Sequence, residues 1–129
     1  MARVLFVCRQ NAGRSQMSEA LFAQAAEGRH EAESAGTTPA QAVHPEVVAA
    51  MRELGMELSD RVPQRLTDDL AARADVVVTM GCGDACPYIP GKRYIDWELE
   101  DPAGRRLDEV RRIRADIADR VRALAAELG

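Results

Sequence analysis

The 129 residues contain three cysteines, Cys8, Cys82 and Cys86. An odd and small number excludes a disulfide-stapled secreted scaffold and leaves thiol chemistry or a metal. Net charge is equally scarce. Seventeen basic residues against 21 acidic ones give −4 with both histidines neutral, which argues against nucleic acid or an anionic membrane as the main partner. No apolar run approaches the ~18 residues of a membrane-spanning helix. The opening Met1–Val7 is too short in its apolar part for an export signal, so a cytosolic chain is expected. Linkers, repeats and low-complexity tracts are also missing. The length therefore suits a single domain over residues 1–129, within the usual ~100–150. A hydrophobic fraction of 47% excludes general disorder.

What is present alternates strand with helix. Val4-Leu5-Phe6-Val7 is continuously apolar, as a parallel strand buried on both faces would be. Beyond Gly13 a helix is expected from Ser15, with Met17, Ala20, Leu21 and Ala25 at three- and four-residue spacing and Gly28 as its stop. A weak strand follows over Glu31–Ala35. Pro45 suits the first position of a second helix with Val47 or Val48, Met51 and Leu54 as its stripe, capped by Gly55. A short helix is expected over Thr67–Arg73, then a β-branched strand Val76–Met80. Residues 81–91 hold three glycines and two prolines, which is loop composition. Tyr94, Ile95 and Trp97 suggest a fourth strand. The last helix carries Leu107, Val110, Ile113, Ile117, Val121, Leu124 and Leu128, with Asp108–Arg112 and Asp116–Arg120 as acid-before-base pairs. Such alternation predicts an α/β fold: a small, doubly wound, four-stranded parallel sheet with helices on both faces.

In such sheets ligands bind beyond the carboxyl ends of the strands. Cys8-Arg9-Gln10-Asn11-Ala12-Gly13-Arg14-Ser15 lies there, between the first strand and the first helix. A cysteine, five residues and an arginine make a legible oxyanion cradle. Curled backbone N–H groups converge on one point and the helix N-terminus adds positive potential. Arg14 offers a planar fork for two oxygens of a tetrahedral anion. The same field favours Cys8 as a thiolate. Ser15 can donate to the sulfur and also cap the helix, and Gly13 lets backbone approach the ion.

These residues, together with Gln16-Met17, Ser34-Ala35-Gly36, Val78-Thr79-Met80 before Cys82, Cys86-Pro87, Trp97 and Asp101-Pro102-Ala103-Gly104, carry a resemblance over nearly the whole chain. The sequence resembles the low-molecular-weight tyrosine phosphatase superfamily, and more closely its thioredoxin-coupled arsenate reductase branch. The resemblance implies a thiol relay. Cys8 attacks arsenate, Cys82 attacks Cys8 and releases arsenite, and Cys86 attacks Cys82 so that the disulfide reaches thioredoxin, an external reductant, with no bound cofactor. Phosphate or sulfate would compete for the cradle, and a monomer is expected.

The spacing of Cys82 and Cys86 permits this relay and equally permits two small loop residues. A zinc site from the three thiols and His44 is disfavoured, because paired C-x2-C ligand sets are missing. One departure stands out: in better-known reductases the resolving cysteine follows the third strand directly, with a wider gap to the last one, whereas here Gly81 intervenes. By resemblance Asp101 is the general acid, although Asp-Pro-x-Gly is also ordinary turn chemistry. Ala103-Gly104 replaces the aromatic wall of the phosphatase branch, which favours a small inorganic oxyanion. Asn11, Ser15, Glu19 and Ser34 match positions that support the loop. In some members Asn11, Glu19 and Ser34 bind potassium, but the further acidic ligand falls on Gln64 here. His30 and His44 read as packing or surface histidines, Trp97 as a structural anchor, and the arginines of the last helix as a solvated face. The rival readings are a phosphatase with Cys8 as nucleophile, a reductase using a low-molecular-weight thiol and a glutaredoxin-like partner, and a non-catalytic phosphocarrier or oxyanion-binding module.

Overall fold

The computed structural model describes residues 1–82 and 90–129. Cys86, expected to be the last thiol of the relay, lies outside them. Strand β1 (Arg3–Cys8) is apolar from Val4 onward because both of its sides are covered there. Val4, Phe6 and Cys8 face the larger core, while Leu5 and Val7 face a smaller one with Leu70, Ala74 and Val77. Helix α1 (Arg14–Ala26) follows, then β2 (Glu31–Gly36), α2 (Pro45–Arg52), α3 (Asp68–Arg73), β3 (Val76–Thr79), β4 (Arg93–Asp96) and α4 (Leu107–Leu128). All strand pairs are parallel in the order β2-β1-β3-β4. Central β1 thereby carries its C-terminal end between those of β2 and β3, with Cys8 opposite Gly36 and Val7 opposite Thr79. The expected doubly wound sheet is what forms.

Local chemistry explains most element ends. The hydroxyl of Thr67 accepts from the Leu70 N–H at 3.1 Å and caps α3. Pro45 opens α2 as expected, but the helix stops at Arg52 and leaves Leu54 exposed. The chain then needs the left-handed φ of +78° at Gly55. At the end of α1 both Glu27 (φ +49°) and Gly28 (φ +81°) turn left-handed, so the stop begins one residue before the glycine. Strand β4 ends at Asp96. Trp97 lies just past it, donating its backbone N–H to the Thr79 carbonyl at 2.9 Å.

On the larger face α1 and α4 cover the sheet. Phe6 packs at 5.6 Å from Phe22 and 5.9 Å from Trp97, with tilted rings. The α4 stripe Val110, Ile113, Ile117, Val121 and Leu124 is buried as its spacing requires. Asp116 and Arg120 form the expected ion pair at 2.9 Å, whereas Asp108 pairs with Arg106 instead of Arg112. Helix α2 is pinned to α4 by Glu53, whose carboxylate accepts from Arg111 and Arg114. Hydrogen bonds from those two guanidiniums hold its pKa down at about 2. No helix among the described residues is long and apolar enough to cross a membrane.

Candidate active site

The loop between β1 and α1 is shaped from outside. The carbonyls of Cys8, Arg9, Gln10 and Ala12 accept from the N–H groups of Thr37, Thr38, Ala40 and His44 at 2.7–3.2 Å. The Gly13 carbonyl accepts from Met17, inside α1. Tying these carbonyls to donors outside the loop leaves its amides available to a bound anion, as in an anion nest. Gly36 allows this close approach: a Cβ there would stand 2.8 Å from both the Arg9 oxygen and the Asn11 nitrogen. Asn11 holds the bend in the left-handed region (φ +51°), which asparagine tolerates better than most residues.

Cys8 is a free, buried thiol at the floor of a recess of about 250 Å3. Arg9, Gln10, Gly13, Arg14, His44 and Asp101 line the remainder. The Cys8 sulfur stands 2.9 Å from the Ser15 hydroxyl, where an ionised sulfur can only accept. The Gln64 backbone N–H donates to Asn11 Oδ1 at 2.9 Å, so this side of the Asn11 amide must be its oxygen. Asn11 Nδ2 therefore donates to Ser15 Oγ at 2.7 Å, which leaves the serine proton available to an ionised sulfur. Of the two tasks expected of Ser15, it performs this one; the α1 N-cap is Gly13, with no side-chain cap.

Arg14 is nearly buried and reaches across the recess. Its Nη1 donates to the Leu99 carbonyl at 3.4 Å and its Nη2 lies 3.8 Å from the Asp101 carboxylate. Gly81, with φ of +83°, passes so close that a Cβ would meet Arg14 Nη1 at 2.3 Å. The intervening glycine of the sequence is the surface on which the arginine lies. Gly13 also has a use that its sequence position does not show. What crowds its missing Cβ is Pro102, at 2.8 Å, so the Asp101-Pro102 turn docks directly on the loop. Asp101 itself is 57% exposed at the rim and accepts the Ala103 N–H at 3.0 Å. Trp97 is part of the larger core, beside Phe6.

The support residues separate into two ranks. Asn11 and Ser15 touch the loop directly. Glu19 and Ser34 touch each other, Ser34 donating to Glu19 at 2.5 Å. Sequence reading missed Gln16, which donates to both Asn11 oxygens at 3.1 Å, and Arg61, which pairs with Glu19 at 2.9 Å. It also misplaced His44, which lines the recess. His30 is the packing histidine expected, its Nδ1 accepting from the Ala2 N–H at 2.9 Å. These residues do not fit a potassium ion. Gln64, at the position of the acidic ligand, spends its side-chain amide on the Ser34 carbonyl at 2.7 Å, and a guanidinium already faces Glu19.

Cys82 lies apart from this arrangement. It is disulfide-bonded and buried with Leu5, Val7 and Leu70 on the α3 side of the sheet, opposite the face that receives Cys8. Among the described residues no cluster of three or more His, Cys, Asp or Glu could hold a metal ion.

Comparison with known proteins agrees with this geometry. Residues 3–129 match the family model of the low molecular weight phosphotyrosine protein phosphatases. A Halobacterium salinarum protein provisionally named an arsenate reductase is 44% identical over 122 residues, covering 90% of this chain and 85% of its own length. The glutaredoxin arsenate reductase of Synechocystis sp. is 34% identical over 99% of both chains. The solved thioredoxin-dependent arsenate reductase of Corynebacterium glutamicum superposes with a TM-score of 0.84 at 43% identity, over 98% of this chain. This chain spans only 61% of that protein's length. Cradle, sheet order and matched length together show that the chain belongs to the low molecular weight phosphotyrosine protein phosphatase family.

Proposed function

We propose that the protein reduces arsenate to arsenite with Cys8 as nucleophile and Cys82 and Cys86 as a thiol relay that thioredoxin regenerates. The observation that carries this reading is the pairing of two thiol positions at one sheet edge. Strands β1 and β3 are neighbours in parallel register, so the chains that hold Cys8 and Cys82 leave the sheet side by side. One of these cysteines is free under a hydroxyl donor and the other is oxidised. Arsenate as the substrate rests on the relatives named above and on the short Ala103-Gly104 at the rim, which offers no wall for an aryl ring.

The chemistry balances as two-electron thiol exchange. The Cys8 thiolate displaces a protonated oxygen of arsenate, with Arg14 and the inward amides holding the remaining oxygens and Asp101 as the proton donor. Cys82 thiolate attacks the Cys8 sulfur, and the sulfur–arsenic electron pair leaves with arsenic as arsenite. Cys86 then attacks Cys82 and frees Cys8, and a thioredoxin dithiol reduces the resulting bond. Cys82 must leave its apolar cluster to reach Cys8, and Gly81 supplies the left-handed residue at which the chain can turn. Dependence on a dithiol reductant places the protein in a reducing compartment, the cytoplasm.

Arsenate-dependent NADPH oxidation with thioredoxin and its reductase tests the reading, run beside a glutathione–glutaredoxin system and aryl phosphate hydrolysis. Continuous turnover is expected with thioredoxin and is expected to disappear in Cys86→Ser. Full thioredoxin-coupled turnover by Cys86→Ser would rule out the three-thiol relay. Turnover only with glutathione and glutaredoxin would give the protein the other reductant.

A further inference from the structure

The polar cluster behind the loop holds its own cation. We infer that Arg61 is a positioning residue for the Cys8 thiolate, acting through a one-way chain of hydrogen-bond donors. Arg61 Nη1 donates to Gln16 Oε1 at 3.4 Å while pairing with Glu19 at 2.9 Å. Gln16 Nε2 donates to Asn11 Oδ1 at 3.1 Å and Asn11 Nδ2 to Ser15 Oγ at 2.7 Å; Ser15 Oγ stands 2.9 Å from the Cys8 sulfur, to which it must donate when that sulfur is a thiolate.

Backbone groups fix the direction at each amide. Gln16 Nε2 also faces the Asn11 carbonyl, which can only accept, so its Oε1 must be the end that meets Arg61. The Gln64 N–H, which can only donate, fixes Asn11 in the same way. Every donor therefore points towards sulfur and every acceptor towards the guanidinium. Aligned donors polarise one another. A permanent cation at the far end strengthens the last bond, the one that stabilises negative sulfur.

Arg61 thus takes the place that a monovalent ion would need. It opposes the charge of Glu19, which would otherwise stand beside Gln16 and draw its amide away from Asn11. Arginine keeps its charge at any working pH, so the support is constant and needs no ion from solution.

The inference concerns the same Cys8 thiolate on which the proposed function rests, and alkylation reads that thiolate without arsenate. In a Cys82→Ser/Cys86→Ser background Cys8 is the sole cysteine. Its iodoacetamide alkylation at pH 7 is followed by mass spectrometry in potassium chloride and in tetramethylammonium chloride of equal strength. Arg61→Met and Gln16→Met are each expected to slow the reaction about three- to tenfold, the scale of weakening one hydrogen bond to a charged group. Arg61→Lys is expected within about twofold of the parent, which should itself be indifferent to potassium. Parent-like alkylation of folded Arg61→Met would overturn the inference. So would slowing in Arg61→Met without slowing in Gln16→Met, since a through-space field would then suffice. Potassium stimulation of the parent would overturn it even if Arg61→Met failed to fold. Normal alkylation in this background, with no arsenate reduction by the protein that keeps all three cysteines, would instead remove the proposed function and leave this inference standing.

Discussion

The two segments that leave neighbouring strands at the same sheet edge are built on opposite plans. After β1 the chain is tied down at nearly every residue. Four consecutive-region carbonyls are held by residues 37–44, the Asn11 side chain is locked by a backbone donor, and the Cys8 sulfur is met by an oriented hydroxyl. After β3 the chain turns left-handed at Gly81, and Cys82, disulfide-bonded, is buried in an apolar cluster on the other face. Under the proposed relay, the difference amounts to a division of labour. A nucleophile that must meet a small anion is held rigidly, because orientation lost at the moment of attack costs rate. A thiol that must later approach the first one, and then leave it, cannot be held in the same way.

Gly36→Ala strikes the rigid segment and should have the largest effect. Its Cβ would sit under 3 Å from loop backbone that has nowhere to move. Overpacking of this kind costs about 1–3 kcal/mol, expected as a Tm lower by roughly 4–12 °C with loss of phosphate protection in a thermal shift assay. An unchanged Tm with intact phosphate binding would show that the loop does not depend on outside support.

Gly81→Ala tests the second segment where it touches the first. The left-handed backbone alone costs about 1–2 kcal/mol for an alanine, and the new methyl would displace Arg14. Arsenate kcat/KM is expected to fall about ten- to hundredfold, with a Tm lower by roughly 4–8 °C. A normal kcat/KM would separate the two segments and leave Gly81 as a plain hinge.

The rigid segment was also the more legible one in the sequence. Its chemistry is contiguous: Cys8, Asn11, Gly13, Arg14 and Ser15 fall within eight residues between a buried strand and a helix. The sheet was legible for a similar reason, since Val4–Val7 and Val76–Val78 are apolar on both faces. What stayed hidden depends on partners brought from far along the chain. Arg61 meets Gln16 across 45 positions, and Gln64 meets Asn11 across 53. Nothing local marks either as part of a cysteine site. The role of His44 depends on the turn that carries residues 37–44 along the loop, and that of Gly81 on the resting place of Arg14. Asp101 was found through its neighbours Pro102-Ala103-Gly104, but its exposure is a feature of tertiary position that no turn motif encodes.

The central claim is that the stored thiol reaches the held one during turnover. Cys86→Ser protein, fully reduced and then given one equivalent of arsenate, should be quenched in acid and digested without reductant. Mass spectrometry of the peptides should find Cys8 joined to Cys82, with one arsenite released per bond. Cys8 and Cys82 remaining unlinked while arsenate is consumed, or arsenate left unreduced by a protein whose Cys8 still alkylates, would contradict the account.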